Sequence, residues 1–120
     1  MLVKRIIIIM LMAISMLSCS KEDDPPVPVP SIAFDVSEGI AVNGEYRITG
    51  TINSSVKLLK VVLTKEGSSV PFLIDDSTAK NKNNYSYSYL VTAITVNTTV
   101  LIDVYDQNNS KTSVRYLIRI

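Results

Sequence analysis

After residue 30, apolar and polar residues alternate with a period of two along most of the chain, and no helical period of useful length interrupts them. EYRITGTIN (45–53) sets Tyr46, Ile48, Gly50 and Ile52 on one face and Arg47, Thr49, Thr51 and Asn53 on the other. KLLKVVLTKE (57–66) sets Leu59, Val61 and Leu63 against Lys60, Val62 and Thr64. TTVLIDVYD (98–106) sets Val100, Ile102 and Val104 against Leu101, Asp103 and Tyr105. In TSVRYLIRI (112–120), Val114, Tyr116, Ile118 and Ile120 oppose Arg115, Leu117 and Arg119. NYSYSYLV (84–91) alternates tyrosine with serine, and SIAFDV (31–36) alternates in part. VPFLI (70–74) is a short run in which Pro71, with no N–H to give a ladder, restricts the segment to an edge or a bulge.

Seven such runs, separated by turn signals such as VNGE, KEGS and DQNNSK, predict an all-β fold. Their number and spacing fit an antiparallel β-sandwich of immunoglobulin-like type over residues 31–120. One inward face per strand supplies enough Ile, Val, Leu and Tyr for the core of one small domain. The chain has no tryptophan and one cysteine, so the disulfide and buried tryptophan of antibody domains are both absent.

The amino-terminal segment follows a different pattern. Two cations, Lys4 and Arg5, precede a twelve-residue apolar run, Ile6 to Leu17, broken only by Ser15. A spanning helix needs about 20 apolar residues, so the run reads as a secretory signal peptide, residues 1–18, with Cys19 at the cleavage point. PPVPVP then closes a linker, residues 19–30, that favours polyproline II. At about 3.1 Å per residue, Lys21 to Pro30 extends up to about 31 Å.

Ser18–Cys19 at the end of the apolar run resembles the lipobox of bacterial lipoproteins, although Met16 and Leu17 stand where that pattern has Leu and a small residue. The resemblance implies a mature chain that begins at a lipidated Cys19. Three acyl chains would hold it durably, since each buried methylene contributes about 0.8 kcal/mol. Lys21, Glu22, Asp23 and Asp24 directly behind that cysteine resemble the surface-export signal of Bacteroides-group lipoproteins. That implies an outer-membrane location facing the cell exterior, the periplasmic face being the alternative. GTI (50–52), LLKVVLT (58–64) and LIDVYDQN (101–108) resemble the immunoglobulin-like modules of Bacteroides surface lipoproteins.

Three groups of side chains are candidate sites. Tyr85, Tyr87 and Tyr89 share a strand face at about 6.8 Å spacing. Facing solvent they would form a ladder for stacking sugars, and facing inward they would be core. The opposite face, Ser86, Ser88 and Leu90, makes a poorer core, so inward is the better reading. Asp103, Asp106 and Asn108 offer oxygen ligands near a turn, but Asp103 is predicted to point outward and the spacing is not that of an EF-hand. Asp76-Ser77-Thr78 resembles a short O-glycosylation acceptor motif of Bacteroides-type bacteria, with Ser77 as acceptor.

Twelve basic against eleven acidic side chains leave no cationic excess for a phosphate backbone, which argues against nucleic-acid partners. Without histidine, and with the one thiol expected to carry lipid, catalysis has little to work with; Asp75 and Asp76 are adjacent rather than opposed. No cofactor motif is present. The expectation is a non-enzymatic surface module that binds a glycan or an outer-membrane protein, the alternative being a structural spacer or assembly subunit with no ligand of its own.

Overall fold

The computed structural model describes residues 27–120. The expectations for Cys19 and for Lys21, Glu22, Asp23 and Asp24 lie outside them. Eight strands form within the described residues: β1 (Ser31–Phe34), β2 (Gly39–Ile40), β3 (Tyr46–Asn53), β4 (Leu58–Lys65), β5 (Leu73–Asp75), β6 (Asn84–Val91), β7 (Thr98–Asp106) and β8 (Lys111–Arg119). They pack as a three-stranded sheet, β1-β3-β6, against a five-stranded sheet, β2-β8-β7-β4-β5. The expected all-β, immunoglobulin-like sandwich is therefore present.

Alternation decides the core. Ile48 and Ile52 of β3, Tyr87, Tyr89 and Val91 of β6, Val100, Ile102 and Val104 of β7, and Tyr116 and Ile118 of β8 are all buried between the sheets. The intervening residues of β6, Ser86, Ser88 and Leu90, are exposed. Asn43 and Gly44 both take positive φ, 53° and 75°. They close the Val42–Glu45 bridge as the VNGE signal predicts, because a two-residue hairpin turn requires left-handed backbone at both positions.

The structure corrects the strand reading in five places. The two-residue β2 was not expected, and it pairs parallel with β8, so the sandwich is not purely antiparallel. A bulge between Leu58 and Lys60 changes the phase of β4, so Leu58 rather than Leu59 joins Val61 and Leu63 in the core. β1 ends at Phe34, which leaves Val36 exposed. The run 70–74 pairs only from Leu73 onward, after Pro71, although it is an edge strand as expected. Ile120 lies past the last ladder pair of β8 and is exposed rather than buried.

Gly50 shows how close the packing is. A Cβ at this position would stand 2.0 Å from the Ala33 carbonyl oxygen and 2.4 Å from the Tyr87 hydroxyl. Tyr87 lies opposite Gly50 in the ladder and crosses it to donate a hydrogen bond to Ala33 O at 2.8 Å, tying β6 to β1 over β3. Gly50 is thus a position where any side chain would fill space already taken.

The eight strands of the described residues share one hydrophobic core, so residues 27–120 are treated as one folding unit. Urea unfolding of this unit is expected to be a single transition, with fluorescence and circular dichroism coinciding. Gly50→Ala should destabilise it by about 3 kcal/mol or more, because β1 and the Tyr87 ring must both shift. A loss of less than about 1 kcal/mol would contradict this packing.

Candidate functional site

The densest polar cluster is inside the sandwich and centres on Asp75. β5 places Leu73 and Asp75 on one face, and that face turns inward, leaving Asp75 only 8% exposed. Its Oδ1 accepts the backbone N–H groups of Thr78 at 2.9 Å, Ser77 at 3.3 Å and Ala79 at 3.4 Å. Its Oδ2 accepts the Thr78 hydroxyl at 2.5 Å and the Tyr89 hydroxyl at 2.7 Å. The Tyr85 hydroxyl sits 2.9 Å from Thr78 Oγ1 and 3.4 Å from Asp75 Oδ2. Tyr89 belongs to the three-stranded sheet and Asp75 to the five-stranded one, so this hydrogen bond crosses the sandwich.

Burial pushes the Asp75 carboxyl up, but the bonds from Thr78, Tyr89 and the Ala79 and Ser77 N–H groups outweigh it and hold the group below the ordinary aspartate value. Burial also pushes the Tyr89 hydroxyl well above its ordinary value, and the Asp75 bond and charge add to this. The cluster is therefore a fixed anion and a fixed donor. Neither group is poised to exchange protons near neutral pH.

Tyr85, Tyr87 and Tyr89 do share one face of β6, and that face points between the sheets. Tyr87 and Tyr89 are 2% and 6% exposed, and their rings stack on each other at 5.5 Å. No sugar can reach a ring covered in this way, so the exposed stacking ladder is excluded for these two residues. Tyr85 is half-buried, with the Lys82 ammonium 4.6 Å from its ring centre.

Asp103, Asp106 and Asn108 are not brought together as ligands. Asp103 Oδ1 takes the Ser113 hydroxyl at 2.5 Å on the outer face of its sheet. Asp106 points inward, is 1% exposed, and its Oδ1 closes the β7–β8 turn by accepting the N–H groups of Asn108 at 2.9 Å and Ser110 at 3.0 Å. Asp106 Oδ2 is buried without a hydrogen-bond partner. Among the described residues no three His, Cys, Asp or Glu side chains gather in a way that could hold a metal ion. Ser77 is exposed, with its N–H held by Asp75 and its side chain on the surface of the loop after β5.

Asp75 itself was missed as a structural centre, and two signals pointed to it. Period-two alternation through Leu73 carries Asp75 to the inner face, and Asp75-Asp76-Ser77-Thr78 has the spacing by which an aspartate captures N–H groups two and three residues on.

The two ends of the sandwich differ in chemistry. Pro30 is buried and its carbonyl accepts the Thr112 hydroxyl, so the linker joins at the end holding 54–57, 80–83 and 107–110. Hydrogen bonds from Ser54 N to Asn83 O, Leu58 N to Lys82 O and Gln107 N to Lys57 O knit that end together. The exposed side chains of these three loops are serine, asparagine, glutamine and lysine, and the linker adds exposed Val27 and Val29 beside them. The opposite end is joined by Glu66 N to Thr99 O, Ile94 N to Gly44 O and Ala41 N to Arg119 O. It carries exposed Ile40, Val42, Val70, Val96 and Ile120. A groove of about 380 Å³ opens there, lined by Lys65, Glu66, Ala93 and Thr95 to Thr99. Glu66 pairs with Arg115, and Lys65 donates to Thr92 O at 2.7 Å, so the groove's charges are already engaged.

Because Asp75 is held below the ordinary value of 3.8, its stabilisation is present above that pH and is lost as pH falls through the lower folded value. Urea midpoints measured from neutral pH down to about pH 2 should therefore fall more steeply for the wild type than for Asp75→Asn. Equal slopes would show that the carboxylate is not held by the cluster.

No family model matches the chain, and no curated protein matches it. Among solved structures it is similar to the fibronectin(III)-like modules of Clostridium thermocellum CbhA, with a TM-score of 0.58 at 19% identity. The match covers 80% of this chain and 48% of that one, so the chain aligns with about half the length of the solved structure. The likeness is one of fold, and by fold the described residues are an immunoglobulin-like β-sandwich.

Proposed function

We propose that the protein is a non-enzymatic binding or adhesion module, anchored by lipid on Cys19 to the outer membrane and facing the cell exterior. The observation that carries this reading is the chemical difference between the two ends of the sandwich. The linker joins the polar end, and Ile40, Val42, Val70, Val96 and Ile120 are exposed at the other. On a tether of Pro and Val, the polar end would face the headgroups and the apolar end would be presented outward to a partner. Isolated exposed apolar side chains are ordinary, but five at one end of a small sandwich make a surface suited to another protein.

The chemistry of the interior supports a role without catalysis. The chain has no histidine, and the buried Asp75 is saturated with donors. Glu66, the carboxylate at the groove, is paired with Arg115.

Cys19→Ala is expected to abolish incorporation of labelled fatty acid and to leave the protein unprocessed or released from the membrane fraction. Protease added to intact cells should remove the wild-type domain. A Cys19→Ala protein that stayed processed and membrane-bound would contradict the anchor, and full protection from protease would place the domain in the periplasm.

A further inference from the structure

Charge is sorted between the two ends of the sandwich. Of the six lysines among the described residues, five lie at the linker end: Lys57, Lys60, Lys80, Lys82 and Lys111. The carbonyls of Lys57 and Lys82 accept hydrogen bonds that close this end, and Lys80 is exposed in the same loop as Lys82. Lys60 and Lys111 stand opposite Tyr105 in the ladders on either side of it. The glutamates of the described residues lie toward the other end, where Glu38 pairs with Arg119 and Glu66 with Arg115. Among the described residues, none of the five lysines has a carboxylate within ion-pair distance. The carboxylates on their half are Asp75 and Asp106, both buried, Asp103, which holds Ser113, and the exposed Asp76.

Three of these ammonium groups rest on tyrosine rings instead. Lys60 Nζ and Lys111 Nζ lie 4.9 and 5.9 Å from the centre of the Tyr105 ring, and Lys82 Nζ lies 4.6 Å from that of Tyr85. A ring holds an ammonium by its negative face and leaves the charge unneutralised, with N–H donors free to turn outward. The row Lys60–Tyr105–Lys111 thus sets two cations on one half-buried ring of the outer sheet face. The linker leaves beside this row, because Pro30 O accepts the hydroxyl of Thr112, the neighbour of Lys111. Val27 and Val29 of that linker are 73% and 56% exposed.

We propose that this lysine end binds the anionic headgroups of the membrane to which the linker leads. The proposal rests on the lipid-anchored reading, and two observations select the occupant. The chain leaves the domain at this end, so a surface that holds Cys19 is brought to these lysines first. The end is also the one where cations outnumber accessible carboxylates, and lysine, tyrosine and exposed valine together suit a headgroup boundary. The attraction need not be strong. A short tether holds the domain at millimolar effective concentration over the surface. Each lysine close to an anionic surface then multiplies the ratio of docked to free domain about fivefold. Docking in this way turns the apolar end away from the lipid, an orientation that a tether alone does not fix.

Residues 19–120, coupled through the thiol of Cys19 to a maleimide lipid in nanodiscs, test this without the cell's own lipidation. Discs of phosphatidylcholine are compared with discs that also contain phosphatidylglycerol, and a gadolinium chelate on a headgroup reports which amides approach the surface. With phosphatidylglycerol, amides of Lys57, Lys82 and Lys111 should relax faster than those of Asn43, Gly44 and Val96, and high salt should abolish the difference. On phosphatidylcholine alone the two ends should differ far less. K60Q and K111Q should each lower the docked-to-free ratio about fivefold, and K65Q, at the other end, should leave it unchanged. E22Q/D23N/D24N should dock at least as well as the wild type. Equal relaxation patterns on the two kinds of disc overturn the proposal, and those arms need no substitution. A response that K60Q and K111Q leave intact overturns it too. A response that appears only in E22Q/D23N/D24N also overturns it, because the chain's own acidic segment is then the occupant. Failure here leaves the Cys19 anchor standing, and a failed anchor in cells leaves the disc measurement unchanged.

Discussion

The hydrogen bond from Tyr89 to Asp75, 2.7 Å long, joins the two sheets through a charge that has been taken out of water. Burying a carboxylate is costly unless donors satisfy it, and at Asp75 three backbone N–H groups, a threonine hydroxyl and a tyrosine hydroxyl do so. The same contacts wind the chain after β5 into a turn and lead Ala79 into the core. This fixes the short edge strand β5 relative to the long strand β6, although the two share no ladder. The chain has one cysteine and therefore no internal disulfide, and this contact, the Tyr46–Tyr116 hydrogen bond and the packed apolar faces join the sheets among the described residues.

Tyrosine makes such contacts in three places, each time with the ring in the core and the hydroxyl on a distant oxygen. Tyr89 reaches Asp75, Tyr87 crosses Gly50 to Ala33 O, and Tyr116 donates to Val36 O at 2.8 Å, with Tyr46 beside it. Tyrosine suits this use because its ring buries large apolar area while its hydroxyl still requires a partner. These bonds attach β1, the segment before β2, and β5, which have the shortest ladders or none, to the long strands β6 and β8.

Period-two alternation made β3, β6, β7 and β8 legible from the sequence, because each buries one face and exposes the other. It placed the tyrosines of β6 inward on the simple ground that serine makes a poor core. It failed at Leu58 and Leu59, where a bulge changes phase between two residues of identical chemistry. It also failed at Gly39 and Ile40, where a ladder of two residues is too short to leave a pattern. Asp103 and Asp106 show the limit for sites. Their oxygen ligands near a turn suited a cation, but Asp103 lies on an outer face, as its alternation predicts, and Asp106 points inward to close its own turn. Amino-terminal chemistry was the clearest functional signal in the chain, and it concerns where the domain works. On the proposed reading, what the domain meets depends on its apolar end, a property of the folded surface that no short motif records.

The central claim is that the Asp75–Tyr89 contact couples the two sheets, and a double-mutant cycle measures that coupling directly. Unfolding free energies of wild type, Asp75→Asn, Tyr89→Phe and the double variant isolate the pairwise energy from other effects of each substitution. The account predicts a coupling of about 1.5 kcal/mol or more, as for a buried hydrogen bond to a charged group. Additive losses, with a coupling below about 0.3 kcal/mol, would contradict it.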